Sequence, residues 1–279
     1  MAKPRAVVFG YGDIGVRGTA TLLESGLEVP LVVTHRDDPN EARWYASLYD
    51  FSRERKLRVL ADPPIESLDV GEPDLIFSFY YRSMLPMSVL GRAKLGAFNM
   101  HGSLLPKFRG RAPLNWAILE GERETGVTLH EMTEKPDAGR IVDQQAVPIG
   151  PDDTAVEVFH RMTDAAEAVL KRSLPALVAG TVQYKPNELA RGSYYGRRRP
   201  EDGRIDWTKP AQEIHDLVRA VAPPFPGAFC ERLKVHRTQM TARTAPGRAP
   251  GPFQERGEWF AVCGDGKVLR LLEVRERKT

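Results

Sequence analysis

The sequence predicts an α/β chain: a doubly wound unit of alternating strands and helices, then a small C-terminal β-barrel, loosely OB-like. Three observations predict it. The apolar run Arg5-Ala-Val-Val-Phe9 leads into Gly10-Tyr-Gly12-Asp-Ile-Gly15 and a helical pattern, the order of strand, tight turn and helix. Asp74-Leu-Ile-Phe-Ser-Phe79 is nearly all apolar, as suits a strand in the middle of a parallel sheet. From Gly227 onward, short strand-like runs are separated by glycine and proline.

The first helix runs through Thr21-Leu-Leu-Glu, and Val29 to Thr34 is the second strand. The glycine spacing matches the dinucleotide fingerprint, which makes an NAD-dependent oxidoreductase one reading of the chain. Yet strand two ends in Thr34-His35-Arg36, with no acid at its tip for a ribose hydroxyl, although Asp37 and Asp38 follow closely. The glycines are therefore read as permitting a tight turn and close helix packing. Asp38 to Asp50 reads as loop and helix without an assigned role. Arg58-Val-Leu60 is a short strand, and Pro63 to Glu72 carries turn residues. Tyr80-Tyr-Arg-Ser-Met-Leu-Pro86 follows the strand at 74–79, at the end where open α/β sheets bind ligands. Tyr80 and Tyr81 are open to two readings, packing or ligand contact.

Ala97 to Pro113 carries the chemistry. An apolar strand places Asn99 and His101 two residues apart, so both side chains share one face. An amide that donates to a developing oxyanion, beside an imidazole that moves a proton, is what acyl transfer needs. Basic Lys107-Phe108-Arg109-Gly110-Arg111 follows and suits an anion. A second half-buried strand, Gly126 to Met132, leads to Asp137 in a Pro-Asp-Ala-Gly turn. A carboxylate there can orient His101 and stabilise its protonated form; taken alone, it is ordinary turn chemistry.

Asp152-Asp153-Thr154 offers a helix N-cap. Ala155, Val158, Phe159, Met162, Ala165, Ala166, Val169 and Leu170 then recur at helical spacing up to Leu177, with Gly180 as the stop. That stripe is core, and His160 lies off it as a solvated residue. Residues 185–208 read as a connector, with Arg197-Arg198-Arg199 a solvated basic run. Ala211 to Val221 is a short amphipathic helix stopped by Pro223-Pro224. The barrel region lacks an interleaved aromatic and basic stripe, so it is read as structural. The expected division is residues 1–184 catalytic, 185–208 connector and 209–279 C-terminal domain.

At 279 residues, with 42% hydrophobic and 28% charged residues, the composition is that of an ordinary globular protein of one large and one small domain. A net charge of +3 is too small to argue for nucleic acid, and it permits an anionic ligand. The only cysteines, Cys230 and Cys263, have neither metal-ligand nor disulfide-framework spacing. No run approaches a membrane span and no signal peptide is evident, so the expectation is a cytoplasmic protein without metal, membrane or nucleic-acid partners.

Asn99-x-His101-x-Ser103-Leu-Leu-Pro106, with Arg109-Gly110 and Asp137-x-Gly139, resembles the signature of the folate-dependent formyltransferases. The likeness is closer still to the transformylase domain of the bifunctional polymyxin-resistance enzyme, which formylates UDP-4-amino-4-deoxy-L-arabinose. It extends through Phe77 to Arg82, Phe98 to Trp116, Glu124 to His130, Gly196 to Arg198 and Pro226 to Phe229. The resemblance implies a Rossmann-like formyltransferase fold that uses 10-formyltetrahydrofolate. It implies Asn99, His101 and Asp137 as catalytic residues. Ser83, Met84 and Leu85, with Thr133, Glu134, Lys135 and Pro136, would line the folate pocket through backbone groups, and Arg111 and Arg198 would hold the nucleotide. The acceptor so implied is a nucleotide-linked amino sugar of lipid A modification. Because the chain ends at Thr279, a separate dehydrogenase/decarboxylase chain would make the keto-sugar precursor. Rival readings are a methionyl-tRNA formyltransferase and a non-catalytic nucleotide-binding module. The first fits poorly with Arg111 and Pro113-Leu-Asn-Trp116, and the second with the intact Asn99, His101 and Asp137 set.

Overall fold

The structure, a computed structural model, describes residues 3–37 and 43–277; the reading of Asp38, and of the loop as far as residue 42, lies outside them. In chain order come β1 (Arg5–Gly10), α1 (Gly12–Glu24), β2 (Glu28–Thr34), α2 (Leu48–Glu54), β3 (Val59–Ala61), β4 (Leu75–Phe79), α3 (Met87–Leu90) and β5 (Gly96–His101). There follow β6 (Arg109–Gly110), α4 (Pro113–Leu119), β7 (Glu124–Glu131), β8 (Ile141–Pro148), α5 (Ala155–Ala179) and β9 (Tyr194–Tyr195). The remainder is α6 (Ala211–Ala220), β10 (Ala228–Phe229), β11 (Leu233–Thr244), β12 (Gly251–Glu255), β13 (Glu258–Val262) and β14 (Lys267–Glu276). The chain divides into two compact units. The first holds Met1–Gly110, Gly126–Val147 and Arg161–Tyr194; the second holds Arg111–Thr125, Pro148–His160 and Tyr195–Thr279.

The first unit is built on a sheet of order β3-β2-β1-β4-β5-β7-β8. Its first five strands are parallel, and the order reverses at β1/β4, the switch point of a Rossmann-like sheet. β7 runs antiparallel to β5, so the sheet is mixed. Phe77, Phe79 and Phe98 are at most 1% exposed, each contributing about 1.5–3 kcal/mol of burial. The predicted stripe on α5 is buried at Val158, Met162, Val169, Leu170 and Leu177, while His160 is exposed.

The glycine motif packs. A Cβ on Gly10 or Gly15 would meet Leu48 Cδ2 at 2.9 or 3.0 Å, and the two glycines approach each other across the turn. Tyr11, 7% exposed, fills the turn and exchanges a hydrogen bond with Tyr45. Ala46 N–H donates to Asp13 at the head of α1. Aromatic side chains thus pack against this helix start, Tyr45 lying within van der Waals distance of a Cβ built on Gly12. Tyr81 packs as well, stacked on His35 with centroids 4.3 Å apart.

The second unit carries an antiparallel sheet of order β10-β11-β14-β13-β12. Among the described residues its edge strands β10 and β12 do not pair, so the sheet is open and the closed barrel expected from the sequence is corrected. The strand lengths explain it. β11 and β14 are 12 and 10 residues long, whereas β10 has 2, too few for a rim strand that closes a cylinder.

Candidate functional site

Strand alternation in β5 buries Phe98 and Met100 on one side of the sheet and sets Asn99 and His101 on the other. The antiparallel pairing with β7 puts His130 opposite Asn99 and Thr128 opposite His101, so His130 joins the polar face. Gly102 must be a glycine, because a Cβ there would lie 2.0 Å from the Tyr80 hydroxyl. Tyr80, at the tip of β4, therefore packs beneath the residue that follows His101.

His101 is 7% exposed, and its Nε2 lies 3.0 Å from the Phe108 carbonyl. A carbonyl only accepts, so Nε2 carries the hydrogen and Nδ1 is the nitrogen left to gain or lose a proton. Asp137 Oδ1 stands 3.3 Å from that Nδ1 and 3.6 Å from His130 Nε2. Its Oδ2 accepts the Gly110 N–H at 2.9 Å. Burial alone would raise the Asp137 pKa; the His101 ring, His130 and the Gly110 N–H outweigh it and hold the carboxyl at about 2. Burial lowers the His101 pKa, with the Asp137 charge and the Phe108 carbonyl opposing in part. The two directions describe one state: a neutral imidazole beside an ionised carboxylate, which stabilises the imidazolium whenever Nδ1 takes a proton.

The sequence reading missed His130. At 2% exposure, its Nδ1 donates to Glu131 O at 2.8 Å, and Asn99 Nδ2 lies 3.1 Å from its Nε2. An Asn99 Nδ2 that gives one amide hydrogen to that ring keeps a second. The signal available was an inward-facing position on the alternating strand at Gly126 to Met132. Also missed was the support beneath the loop at 102–108. Thr128 Oγ1 donates to Ser103 O and accepts the Leu105 N–H, while Ser103 Oγ donates to Lys107 O. This network fixes the loop that presents the Phe108 carbonyl.

Ser83 and Met84 are exposed between β4 and α3, with Leu85 buried behind them. None of the three enters a backbone hydrogen bond of the fold among the described residues. Thr133, Glu134, Lys135 and Pro136 form the loop that delivers Asp137, closed by a Thr133 Oγ1–Lys135 O hydrogen bond of 2.9 Å. Among the described residues no His, Cys, Asp and Glu group is placed to hold a metal ion, and no helix is long and apolar enough to cross a membrane.

Arg111 and Arg198 fall in the second unit. Arg111 exposes its side chain, while its N–H donates to Tyr195 O at 3.0 Å. Tyr195 stacks on Trp116 with centroids 4.7 Å apart, and the Arg198 guanidinium sits 4.9 Å from the Trp116 ring centroid. Arg198 also donates to Asp202 O at 2.9 Å, and partial burial draws its pKa below the ordinary value. It is thus a half-buried, ring-mounted cation, a correction to its reading as part of a solvated run.

A family model described as formyl transferase matches residues 17–174, and one described as formyl transferase, C-terminal domain, matches residues 198–279. Among solved structures, the chain is similar to an N-formyltransferase from Helicobacter canadensis in complex with folinic acid and dTDP-3-aminofucose. That likeness has 20% identity over 98% of this chain and 100% of that one, with a TM-score of 0.79. WlaRD, a sugar 3N-formyl transferase in the presence of dTDP and 5-N-formyl-THF, matches at 20% identity over 100% of both chains, with a TM-score of 0.80. A 4-N formyltransferase from Francisella tularensis matches at 19% identity over 81% of this chain and 92% of that one, with a TM-score of 0.67. At these identities the likeness is one of fold.

Proposed function

The chain belongs to the formyl transferase family, and on that premise we propose that it transfers a formyl group from 10-formyltetrahydrofolate to the 4-amine of a nucleotide-linked amino sugar, UDP-4-amino-4-deoxy-L-arabinose. The single observation that carries the chemistry is the convergence of Asn99, His101 and Asp137, with Asp137 Oδ1 3.3 Å from the one His101 nitrogen not committed to a carbonyl. The solved relatives named above, with folinic acid or 5-N-formyl-THF and dTDP or a dTDP-amino-sugar, support the substrate classes.

In this reading the neutral amine attacks the formyl carbon and its carbonyl π pair moves onto oxygen. The second Nδ2 hydrogen of Asn99 stabilises that oxyanion, an effect commonly worth about 3 kcal/mol. The attacking nitrogen gives up a proton to His101 Nδ1, directly or through a water, and the Asp137 carboxylate stabilises the imidazolium. That proton then passes to the folate nitrogen as its bond to the formyl carbon breaks. Formamide and tetrahydrofolate leave, and His101 is neutral again. Arg111 and Arg198 would pair with the diphosphate, a guanidinium fork suiting two phosphate oxygens. Ser83, Met84 and Leu85 would hold the pteridine through backbone groups.

The test offers UDP-4-amino-4-deoxy-L-arabinose and methionyl-tRNA side by side with one formyl donor. Formylation of the sugar nucleotide is expected. Preferential formylation of the tRNA would overturn the acceptor while leaving the three catalytic residues in their roles.

A further inference from the structure

Asn187 lies between α5 and β9, within the segment 185–208 that the sequence presents as a connector. Its Nδ2 donates to two main-chain carbonyls at once, Asp137 O at 3.1 Å and Gly139 O at 3.0 Å. One amide therefore staples both sides of Ala138. The turn it holds is demanding. Asp137 has φ +51°, in the left-handed region where a non-glycine residue is strained. Gly139 is pressed so close to β7 that a Cβ would lie 1.9 Å from Glu131 O. Among the described residues no other side chain bonds to the main chain of Asp137 or Gly139. The Oδ1 of the same amide is buried without a partner, a cost that a smaller side chain would avoid. What an amide offers here, and an alanine or serine does not, is a nitrogen with two hydrogens for two carbonyls.

We propose that Asn187 is a positioning residue for formyl transfer, bridging the Asp137 and Gly139 carbonyls so that the Asp137 carboxylate is aimed at His101. This rests on the catalytic reading of His101 and Asp137 given above. The direction of a carboxylate is set by its main chain and χ1. A turn relaxed out of the left-handed region would swing Oδ1 away from His101 Nδ1 and draw Oδ2 from the Gly110 N–H. The effect on catalysis would pass wholly through Asp137. The groups facing His101 are Asp137 on this turn, His130 on β7 with ring centroids 6.4 Å apart, and the Phe108 carbonyl. Asp137 is the only anion among them.

The experiment compares the wild type, Asn187→Ala, Asp137→Asn and the double variant by two readouts. The first is the NMR titration midpoint of the His101 ring without substrates. Asn187→Ala should move it down, in the same direction as Asp137→Asn, because the imidazolium loses its counter-charge. The double variant should move it no further than Asp137→Asn alone. The second is steady-state kinetics. Asn187→Ala should lower kcat about tenfold, the fold-change expected for a lost positioning hydrogen bond, with both KM values held within about twofold. In the Asp137→Asn background it should add almost nothing.

A wild-type His101 midpoint and kcat in folded Asn187→Ala would overturn the proposal, as would an effect that adds in full to that of Asp137→Asn. Should Asn187→Ala fail to fold, Asn187→Ser keeps one hydroxyl donor and is read in the same way. The titration needs no substrate, so a wild type inactive in formyl transfer, with a His101 midpoint that still responds to Asn187, would sink the functional reading and leave the staple standing.

Discussion

The first unit holds its candidate catalytic groups by short polar bonds, and the second leaves its candidate anion-binding cations looser, Arg198 on a ring face and Arg111 towards solvent. His101 is tied to the Phe108 carbonyl, Asp137 to the Gly110 N–H, and His130 to the Glu131 carbonyl. Arg198 rests on Trp116, which stacks on Tyr195, with one bond to the Asp202 carbonyl, and Arg111 donates its main-chain N–H to Tyr195 O while its side chain is exposed. The difference follows from what each job tolerates. Proton transfer works within hydrogen-bond reach and fails when a donor drifts by about an ångström. Charge pairing falls off only as the inverse of distance, so a cation on an aromatic pedestal can adjust to its anion and still bind it. Short polar anchors give precision, and a ring-borne or solvent-facing cation gives charge with latitude.

The largest expected effect lies on the anchored side. Asn99→Ala, His101→Ala and Asp137→Ala should each cut formyl transfer at least about a hundredfold, the scale of losing one preorganised group. Each should keep its fold, checked by circular dichroism and thermal melting. Wild-type turnover in a folded His101→Ala protein would remove the comparison at its root.

The side with the looser cations should respond less and differently. Arg111→Lys keeps the charge and loses the fork, and Arg198→Lys loses the planar group that lies over Trp116. Each should raise KM for the UDP-amino-sugar by up to about tenfold, more than for formyl-folate, with kcat little changed, because binding remote from the formyl carbon is what is removed. UMP or UDP should compete with the acceptor, and uncharged initiator tRNA should not. A fall in kcat matching that of the alanine set would erase the distinction between the two kinds of anchoring.

How much of this the sequence disclosed follows the same division. Asn99 and His101 were legible because strand alternation forces residues two apart onto one face, and β5 is buried enough to show its period. Asp137 was visible as an acid in a turn, but nothing local gave its partners. Those come from Gly110 and His101, far along the chain. His130 stood in a strand with the right period and went unread because a buried histidine is more often satisfied core. Asn187 was hidden in a stretch whose Gly, Pro and charge content reads as connector. The two-residue strands β6 and β10 left no periodicity to find, and the open edges of the second sheet depend on strand lengths that turn residues only suggest. Arg198 read as solvated because stacking on Trp116 is a long-range contact with no sequence period.

The smallest effect expected is a displacement along the pH axis, and it separates the two sides most cleanly. His101 has a pKa below its ordinary 6.5, so the acid limb of kcat/KM should lie below that pH. Activity falls as the imidazole becomes protonated and can no longer accept the proton of the attacking nitrogen. In Asp137→Asn the counter-charge that favours the imidazolium is gone, so the limb should move further down while the plateau rate drops. Stability should follow the same groups. The unfolded chain takes up the histidine proton first, so stability declines as pH falls below 6.5. Asp137, at about 2 when folded against 3.8 ordinarily, stabilises by about 2 kcal/mol above pH 3.8 and loses that as pH falls through 2. A guanidinium stays charged across this range. Inhibition by a UDP-sugar carrying a hydroxyl in place of the amine should therefore hold constant across the acid limb of catalysis. An acid limb above 6.5, or inhibition that fades in step with it, would show that the two regions titrate together and that their anchoring does not set their roles apart.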